Sequence, residues 1–418
     1  MNLRDFQIEA LEQLNGRARC AFYYGLGLGK TFMGAEKLVR GSCRHILVVC
    51  QKSKIQDWTS HFLEHYPELA VFNLRKKKDK DAFICQDTNG RKVGIINYDM
   101  LAKLGPQLPG RSLGVIYDES SMIKNPGAGR TRAAMRLDVD ELVLLSGTPV
   151  GGKYEELWSQ ARMLGWDITL KDFYDRYIIT TIIDRPGIPA FVKVIGYKNV
   201  AELKRNMRNH GALFKQTDEV LTLPDEVDTV ISVAAPKPYY DLVRKGVAVI
   251  DGEVRVPNSS LEKLMMLRQL SSPWNPAKTD ALSDLVNSTS DRLIVFYNFT
   301  EEMEHVKEIA RKAGRPFGYV NGYGVSLEPY QQHADSITAI QYQAGAMGLN
   351  MQKANKMVFL SPPLSYELYA QARGRIRRMG QDRTCFYWRL ICDDLESRVY
   401  RALARREDYT ARLFDNGW

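Results

Sequence analysis

Cysteine and histidine are scarce in this chain, with six of each among 418 residues. The cysteines, at positions 20, 43, 50, 85, 385 and 392, form no Cys-x-x-Cys pair and have no histidine at ligand spacing. That excludes a disulfide-stapled secreted scaffold and a zinc module, and reads instead as buried thiols in a reducing compartment. Long hydrophobic runs are also missing. No apolar stretch approaches the roughly 20 residues needed to span a bilayer, and Arg4, Asp5, Glu9 and Glu12 interrupt the segment where a signal peptide would need apolar residues. No membrane partner is expected, and the expected location is the cytoplasm. Solenoid-period repeats and low-complexity tails are absent too, which rules out a repeat array.

What is present is a globular composition, 44% hydrophobic and 26% charged, with enough chain for two or three domains. Lys and Arg exceed Asp and Glu by 58 to 49, a formal net charge of +9, so a polyanionic partner is plausible.

Short aliphatic and β-branched runs recur at residues 45–50, 92–97, 113–117 and 141–145, and again at 292–297, 336–342, 356–360 and 384–391. Amphipathic stretches of helical length, such as 31–40, 55–65 and 301–313, separate most of them. Apolar strands alternating with helices predict an α/β fold of parallel sheets covered on both faces. The grouping predicts two such lobes, residues 1–221 and 239–418, joined by a hinge at 222–238 that carries Pro224, Pro236 and Pro238. From about residue 154 to 209 the strand pattern lapses, predicting a protrusion from the first lobe. Residues 239–270 read as a helical insertion opening the second lobe. The run Arg75-Lys76-Lys77-Lys78 reads as solvated surface.

Four segments carry chemistry. Gly25-Leu26-Gly27-Leu28-Gly29-Lys30-Thr31 lies between an apolar segment and a helix. Glycines such as Gly27 and Gly29 let backbone N–H groups turn toward phosphates, Lys30 can reach the β and γ phosphates of ATP, and Thr31 can ligate Mg2+. The competing reading is an ordinary glycine-rich turn, because Tyr24 occupies the place where the general motif has Gly or Ala. Val115-Ile116-Tyr117 then runs into Asp118-Glu119, two carboxylates at the end of a buried strand. There Asp118 can hold magnesium through water and Glu119 can deprotonate the attacking water. Taken alone, such a pair is usually surface decoration. Ser146-Gly147-Thr148-Pro149 follows another apolar strand, offering hydroxyls that can sense a γ-phosphate or simply make a loop. Finally, Gln371–Gln381 packs four arginines into six positions; on a helix, Arg375 and Arg378 share a face and can point at one phosphate. Arg373 and Arg377 could instead meet nucleic acid.

Taken in order from Leu3 to about Leu403, these elements resemble the Swi/Snf-type translocases of helicase superfamily two. Leu3–Gln7 resembles the opening segment whose glutamine reads adenine, which implies that role for Gln7. Gly27–Thr31 matches the family's phosphate loop, with Gly25 and Leu26 replacing its usual acidic residue and methionine. Ile46–Trp58 resembles the next motif, with Gln51 in place of a proline. Asp118-Glu119-Ser120-Ser121 with Lys124-Asn125 resembles the Asp-Glu-Ala-His block, Ser121 replacing the histidine. Gln343–Asn350 resembles the family's glycine-rich motif, with Gln343 and Ala346 replacing an arginine and a glycine, and implies a nucleotide-side role for Gly348. Gln371–Gln381 resembles the terminal arginine motif.

The resemblance implies two RecA-like lobes in tandem. It also implies ATP and Mg2+ as cofactors, double-stranded DNA as partner, and stepping along DNA without strand separation. A protein bound to that DNA would be a further target, and the expected working form is a monomer. The absence of appended chromatin-reading modules fits a bacterial protein or one from a phage-infected host. Two alternatives stay open: a strand-separating DNA or RNA helicase, and a nucleic-acid-binding scaffold without turnover.

Overall fold

The computed structural model describes residues 3–85, 90–108, 112–185, 188–250, 252–345, 349–392 and 394–414. The chain divides into two compact units: residues from Leu221 to Glu407 form one, and those up to Val220 together with those from Asp408 onward form the other, so the second lobe does not run to residue 418 as expected.

In the first unit, nine strands form in chain order: β1 (Arg19–Tyr24), β2 (His45–Cys50), β3 (Ala70–Asn73), β4 (Lys92–Asn97), β5 (Leu113–Asp118), β6 (Glu141–Ser146), β7 (Ile178–Arg185), β8 (Ile188–Tyr197) and β9 (Ala212–Lys215). Seven of them make one sheet in the order β3-β4-β2-β5-β6-β1-β9, and every neighbouring pair is parallel. All six residues of β2 and of β4 are buried, as a sheet covered by helices on both faces requires. Register decides where the chemistry falls. Asp118 lies opposite Leu145, and Ser146 lies opposite Tyr23. The carboxyl ends of β5, β6 and β1 therefore meet at one edge, where ligands of such sheets sit.

The second unit repeats the plan with β10 (Glu226–Ser232), β11 (Ala248–Ile250), β12 (Glu253–Arg255), β13 (Leu293–Tyr297), β14 (Phe317–Val320), β15 (Val325–Ser326), β16 (Ile337–Gln341), β17 (Lys356–Phe359) and β18 (Cys385–Ile391). Its sheet runs β10-β18-β17-β13-β16-β14-β15, parallel except for the terminal β14-β15 pair. The expected α/β architecture of two parallel-dominated sheets in tandem is thus present, and all eight sequence-predicted strands form.

Four expectations need correction. Residues 154–209 do contain strands: β7 and β8 pair antiparallel as a ribbon. Ile, Thr and Val at 178–183 and 192–195 favour extended backbone, but both faces of the ribbon carry exposed apolar side chains, so the in-out alternation that marks a strand is missing. The segment 222–238 holds β10, bonded along seven residues to β18, so it belongs to the second sheet. As an edge strand it is almost wholly exposed and leaves no hydrophobic signature. Residues 239–270 are two helices, Lys237–Lys245 and Ser260–Ser271, separated by the β11-β12 hairpin. Among the cysteines, all six are free thiols and Cys85 is exposed rather than buried.

One ion pair inside the second unit is fully enclosed. Lys278 Nζ lies 2.7 and 2.8 Å from the two oxygens of Glu396, whose carboxylate also accepts the Cys392 N–H at 2.9 Å. Removing one partner strands a buried charge, which costs about 3–5 kcal/mol, whereas replacing both with apolar groups does not. Glu396→Leu should therefore lower the denaturant midpoint of the second unit strongly, and Lys278→Met combined with Glu396→Leu should recover most of that loss in equilibrium unfolding.

Candidate active site

The glycine loop leaves β1 at Tyr24 and enters the helix Lys30–Val39. Gly27 and Gly29 have φ of 81° and 70°, a left-handed conformation that glycine adopts without steric cost. A Cβ on Gly29 would also fall 2.5 Å from Gln7 Nε2. Gln7 is buried, accepts the Arg4 N–H at 2.9 Å, and donates to the Leu28 carbonyl at 3.0 Å. Its carboxamide thus clamps the opening segment to the loop. From the other side the Gly25 N–H bonds Lys215 of β9 at 2.9 Å, and the Thr217 hydroxyl donates to the Leu26 carbonyl at 3.0 Å. Lys30 Nζ donates to the carbonyls of Tyr24 and Gly25 at 2.7 and 3.0 Å. Thr31 follows in the first helical turn, half-buried.

Asp118 ends β5. Its Oδ2 accepts the indole N–H of Trp58 at 2.8 Å, and the Tyr98 hydroxyl donates to its backbone carbonyl at 2.7 Å. Burial pushes the Asp118 carboxyl above its ordinary pKa, against the opposing pull of the Trp58 hydrogen bond and the Lys54 and Lys30 cations. Glu119 sits at φ 55°, ψ 61°, a left-handed backbone that costs a non-glycine residue about 1 kcal/mol. That turn swings the chain into a short 3-10 helix, Ser120–Ile123, in which Ser121 is buried. Adjacent carboxylates on a straight strand would point to opposite faces. The turn at Glu119 breaks that alternation.

Gln160 ties the loops together. Its Oε1 accepts hydrogen bonds from the Ser120 hydroxyl at 2.8 Å and the Tyr23 hydroxyl at 2.9 Å, and its Nε2 donates to the Pro149 carbonyl at 2.7 Å. The Ser146 hydroxyl accepts the Thr148 N–H at 3.1 Å, closing the Ser-Gly-Thr-Pro turn. A Cβ on Gly147 would stand 3.3 Å from Lys30 Nζ, so this turn passes directly over the lysine. Gln7, Gly27, Gly29, Lys30, Thr31, Asp118 and Glu119 therefore all belong to one sheet edge and its loops. Sequence reading missed the parts played by Trp58, Tyr98 and Gln160. Trp58 stood inside a recognised segment, whereas nothing local marks Gln160.

The residues fit a magnesium-bound nucleoside triphosphate. The two left-handed glycines and Gly147 bring side-chain-free backbone close to the Lys30 ammonium. Thr31 and Asp118 offer the oxygen donors that Mg2+ prefers. Asp118 is a half-buried carboxyl whose ionised form, disfavoured by desolvation, a divalent cation would stabilise.

In the second unit, the helix Tyr366–Arg373 stops at Gly374, so Arg375 and Arg378 stand on a turn and do not share a helical face. The turn is nonetheless fixed. The Arg375 carbonyl accepts the Met351 N–H at 3.2 Å, Ile376 is fully buried, and Gln381 Nε2 donates to the Ala354 carbonyl at 2.7 Å. Arg375 is buried; Arg378 donates weakly to the Leu349 carbonyl at 3.4 Å, and burial lowers its pKa. Arg373 and Arg377 are turned inward. Arg373 chelates Asp228 at 2.8 and 2.9 Å and lies 4.1 Å from the centre of the Tyr387 ring, while Arg377 donates to the Pro224 carbonyl at 3.0 Å. They pin β10 and its approach to the unit, which leaves them unsuited to bind nucleic acid. Gly348 lies outside the described residues.

Residues 20–270 match the family described as SNF2-related domain, and residues 277–380 match the helicase conserved C-terminal domain. The chain is 23% identical over 476 residues to the probable global transactivator of Orgyia pseudotsugata multicapsid polyhedrosis virus, covering 99% of this chain and 92% of that protein. It is 24% identical over 401 residues to the Xenopus tropicalis SWI/SNF-related matrix-associated actin-dependent regulator of chromatin subfamily A-like protein 1, covering 91% of this chain and 41% of that protein. The chain thus spans most of the viral relative and less than half of the frog one. Among solved structures, the Sulfolobus solfataricus SWI2/SNF2 ATPase core in complex with dsDNA aligns over 98% of this chain and 92% of that one, with 19% identity and a TM-score of 0.46. Among the described residues, no helix is long and apolar enough to cross a membrane.

The raised pKa of Asp118 has a measurable sign. Because the fold disfavours its ionised form, the residue takes stability away as pH rises through its unfolded and then its folded pKa. Asp118→Asn keeps an acceptor for Trp58 and carries no charge. Without nucleotide or magnesium it should melt higher than the parent, by roughly 2–4 °C per kcal/mol released. The gap should be larger at pH 8 than at pH 5. With magnesium and ATP present the order should reverse, as followed by thermal unfolding.

Proposed function

The chain belongs to the SNF2-related family, and from that premise we propose that it is an ATP-driven translocase on double-stranded DNA that advances without separating the strands. The single observation that carries the reading is the meeting of Lys30, Asp118 and Glu119 at one sheet edge.

Lys30 exchanges the carbonyls of Tyr24 and Gly25 for the β and γ phosphates, and the backbone of Gly27–Lys30 lines the phosphate chain. Thr31 and Asp118 would hold Mg2+, which when bound neutralises phosphate charge. Gln7, already seated against the loop, reads the adenine. Glu119 accepts a proton from water as the water oxygen attacks the γ phosphorus. The bond to the bridging oxygen then breaks and ADP leaves with that electron pair. Arg375 and Arg378 are the residues assigned the positive charge that γ-phosphoryl transfer recruits, a contribution worth several orders of magnitude in rate. Gln160 links the Asp118-Glu119 turn to the Ser146–Pro149 turn, so loss of the γ phosphate is felt on both.

DNA as the track is supported by the net charge of +9 and by the chromatin-regulator name of the frog relative. A motor that must accept any sequence holds phosphates rather than bases.

Steady-state ATPase with duplex DNA, single-stranded DNA and RNA compared side by side tests the reading. Duplex should stimulate most, a fluorescent duplex should stay paired during turnover, and stimulation should fall steeply between 50 and 200 mM salt. Efficient strand displacement, or stimulation by RNA alone, would sink it. Glu119→Gln should retain ATP binding while turnover drops by about 100-fold or more. Arg378→Ala should lower kcat with little change in KM, the signature of a group that acts in the transition state.

A further inference from the structure

The β7-β8 ribbon of the first unit forms a two-stranded sheet of its own. Its base is anchored. Ile178 is buried, the Tyr197 ring packs on Tyr154 with centroids 4.6 Å apart, and the Tyr197 hydroxyl donates to Glu155 Oε2 at 2.8 Å. Farther along, the ribbon emerges into solvent. Ile182 and Val192 face each other across the strands at 71% and 64% exposure, and Phe191, opposite Ile183, is 49% exposed. Ile179 and Ile195 are exposed as well.

An isolated two-stranded ribbon is marginal in water, and this one exposes branched and aromatic side chains where solubility favours polar ones. Such clustering marks a contact surface. Charge selects the partner. Between residues 178 and 198 the sequence has one acidic residue, Asp184, against Arg185, Lys193 and Lys198, and no glutamate. A basic ribbon with apolar flanks suits a polyanion that also offers apolar surface. The major groove of duplex DNA, about 12 Å wide, admits a two-stranded ribbon and presents thymine methyl groups among its base edges.

We propose that the outer part of this ribbon, around Ile182, Phe191, Val192 and Lys193, docks in the major groove of duplex DNA. The inference rests on the duplex-tracking reading and adds to it a contact element outside the helicase-type core sheet. The anchor gives the docking a consequence. Glu155 adjoins Glu156, whose Oε2 bonds Lys124 Nζ at 2.9 Å and the Gly151 N–H at 2.9 Å. Lys124 closes the short helix that begins after Glu119. Groove occupancy is therefore transmitted to the hydrolytic loop and appears in DNA-stimulated turnover as well as in affinity.

The test uses the full chain with Ile182→Ser, Phe191→Ala and Val192→Ser combined, and separately the single change Lys193→Glu. All four positions are exposed, so melting temperatures should stay within about 2 °C of the parent. Duplex affinity by fluorescence anisotropy should fall at least tenfold in the triple variant, and DNA-stimulated turnover should fall with it, while turnover without DNA is unchanged. Lys193→Glu should weaken binding and reduce the slope of log affinity against log salt by about 1. Full duplex affinity and stimulation in the triple variant would overturn the ribbon assignment. A change confined to self-association, with duplex affinity intact, would overturn it equally. If the unaltered protein neither binds duplex nor responds to it, the translocase reading itself fails, which separates the two.

Discussion

A half-buried carboxylate at the end of a parallel strand is the constraint around which the first unit is organised. Asp118 is partly shielded from water, which disfavours its charge, yet it must stay ionisable to serve as the metal ligand proposed above. The fold meets that demand by surrounding it with the Trp58 indole N–H and the fields of Lys54 and Lys30. Coulomb interactions strengthen as water is excluded, so the burial that raises the carboxyl's pKa also sharpens its response to an arriving cation.

The neighbouring loops serve the same end. Glu119 is held in a left-handed turn so that two adjacent carboxylates can differ in role. Gln160, fully buried, joins the turns after β5 and β6 through one hydrogen bond to each and ties both to Tyr23 of β1 through a third, making them one mechanical piece. In the second unit the same logic fixes the arginine turn, where Gln381 and Met351 bond its backbone while Arg373 and Arg377 fasten β10 to β18 and the helix before the turn. Two arginines are structural so that two others can be presented.

Legibility followed burial. The eight predicted strands are enclosed by their unit, and their unbroken apolar runs give them away. Among those that escaped, β7, β8 and β10 are wet on at least one face, and an edge or ribbon strand has little hydrophobic pattern to show, whereas buried β1 was legible only as the apolar segment before the glycine loop. The glycine loop, the Asp-Glu pair and the Ser-Gly-Thr-Pro turn were readable because their chemistry requires residues adjacent in sequence. The helical reading of Arg375 and Arg378 failed because the helix ends at Arg373 with Gly374 as its cap, before either arginine is reached.

From residue order alone came the parallel α/β plan, the phosphate loop and the acidic pair, since each depends on neighbours within a few positions along the chain. Only the folded structure could place Trp58 on Asp118, sixty residues away, or Gln160 between two turns, because hydrogen bonds between distant side chains leave no local periodicity. The same holds for Arg373 and Arg377: four arginines look alike in a sequence, and the carboxylates and carbonyls brought near by folding decide which are spent on structure.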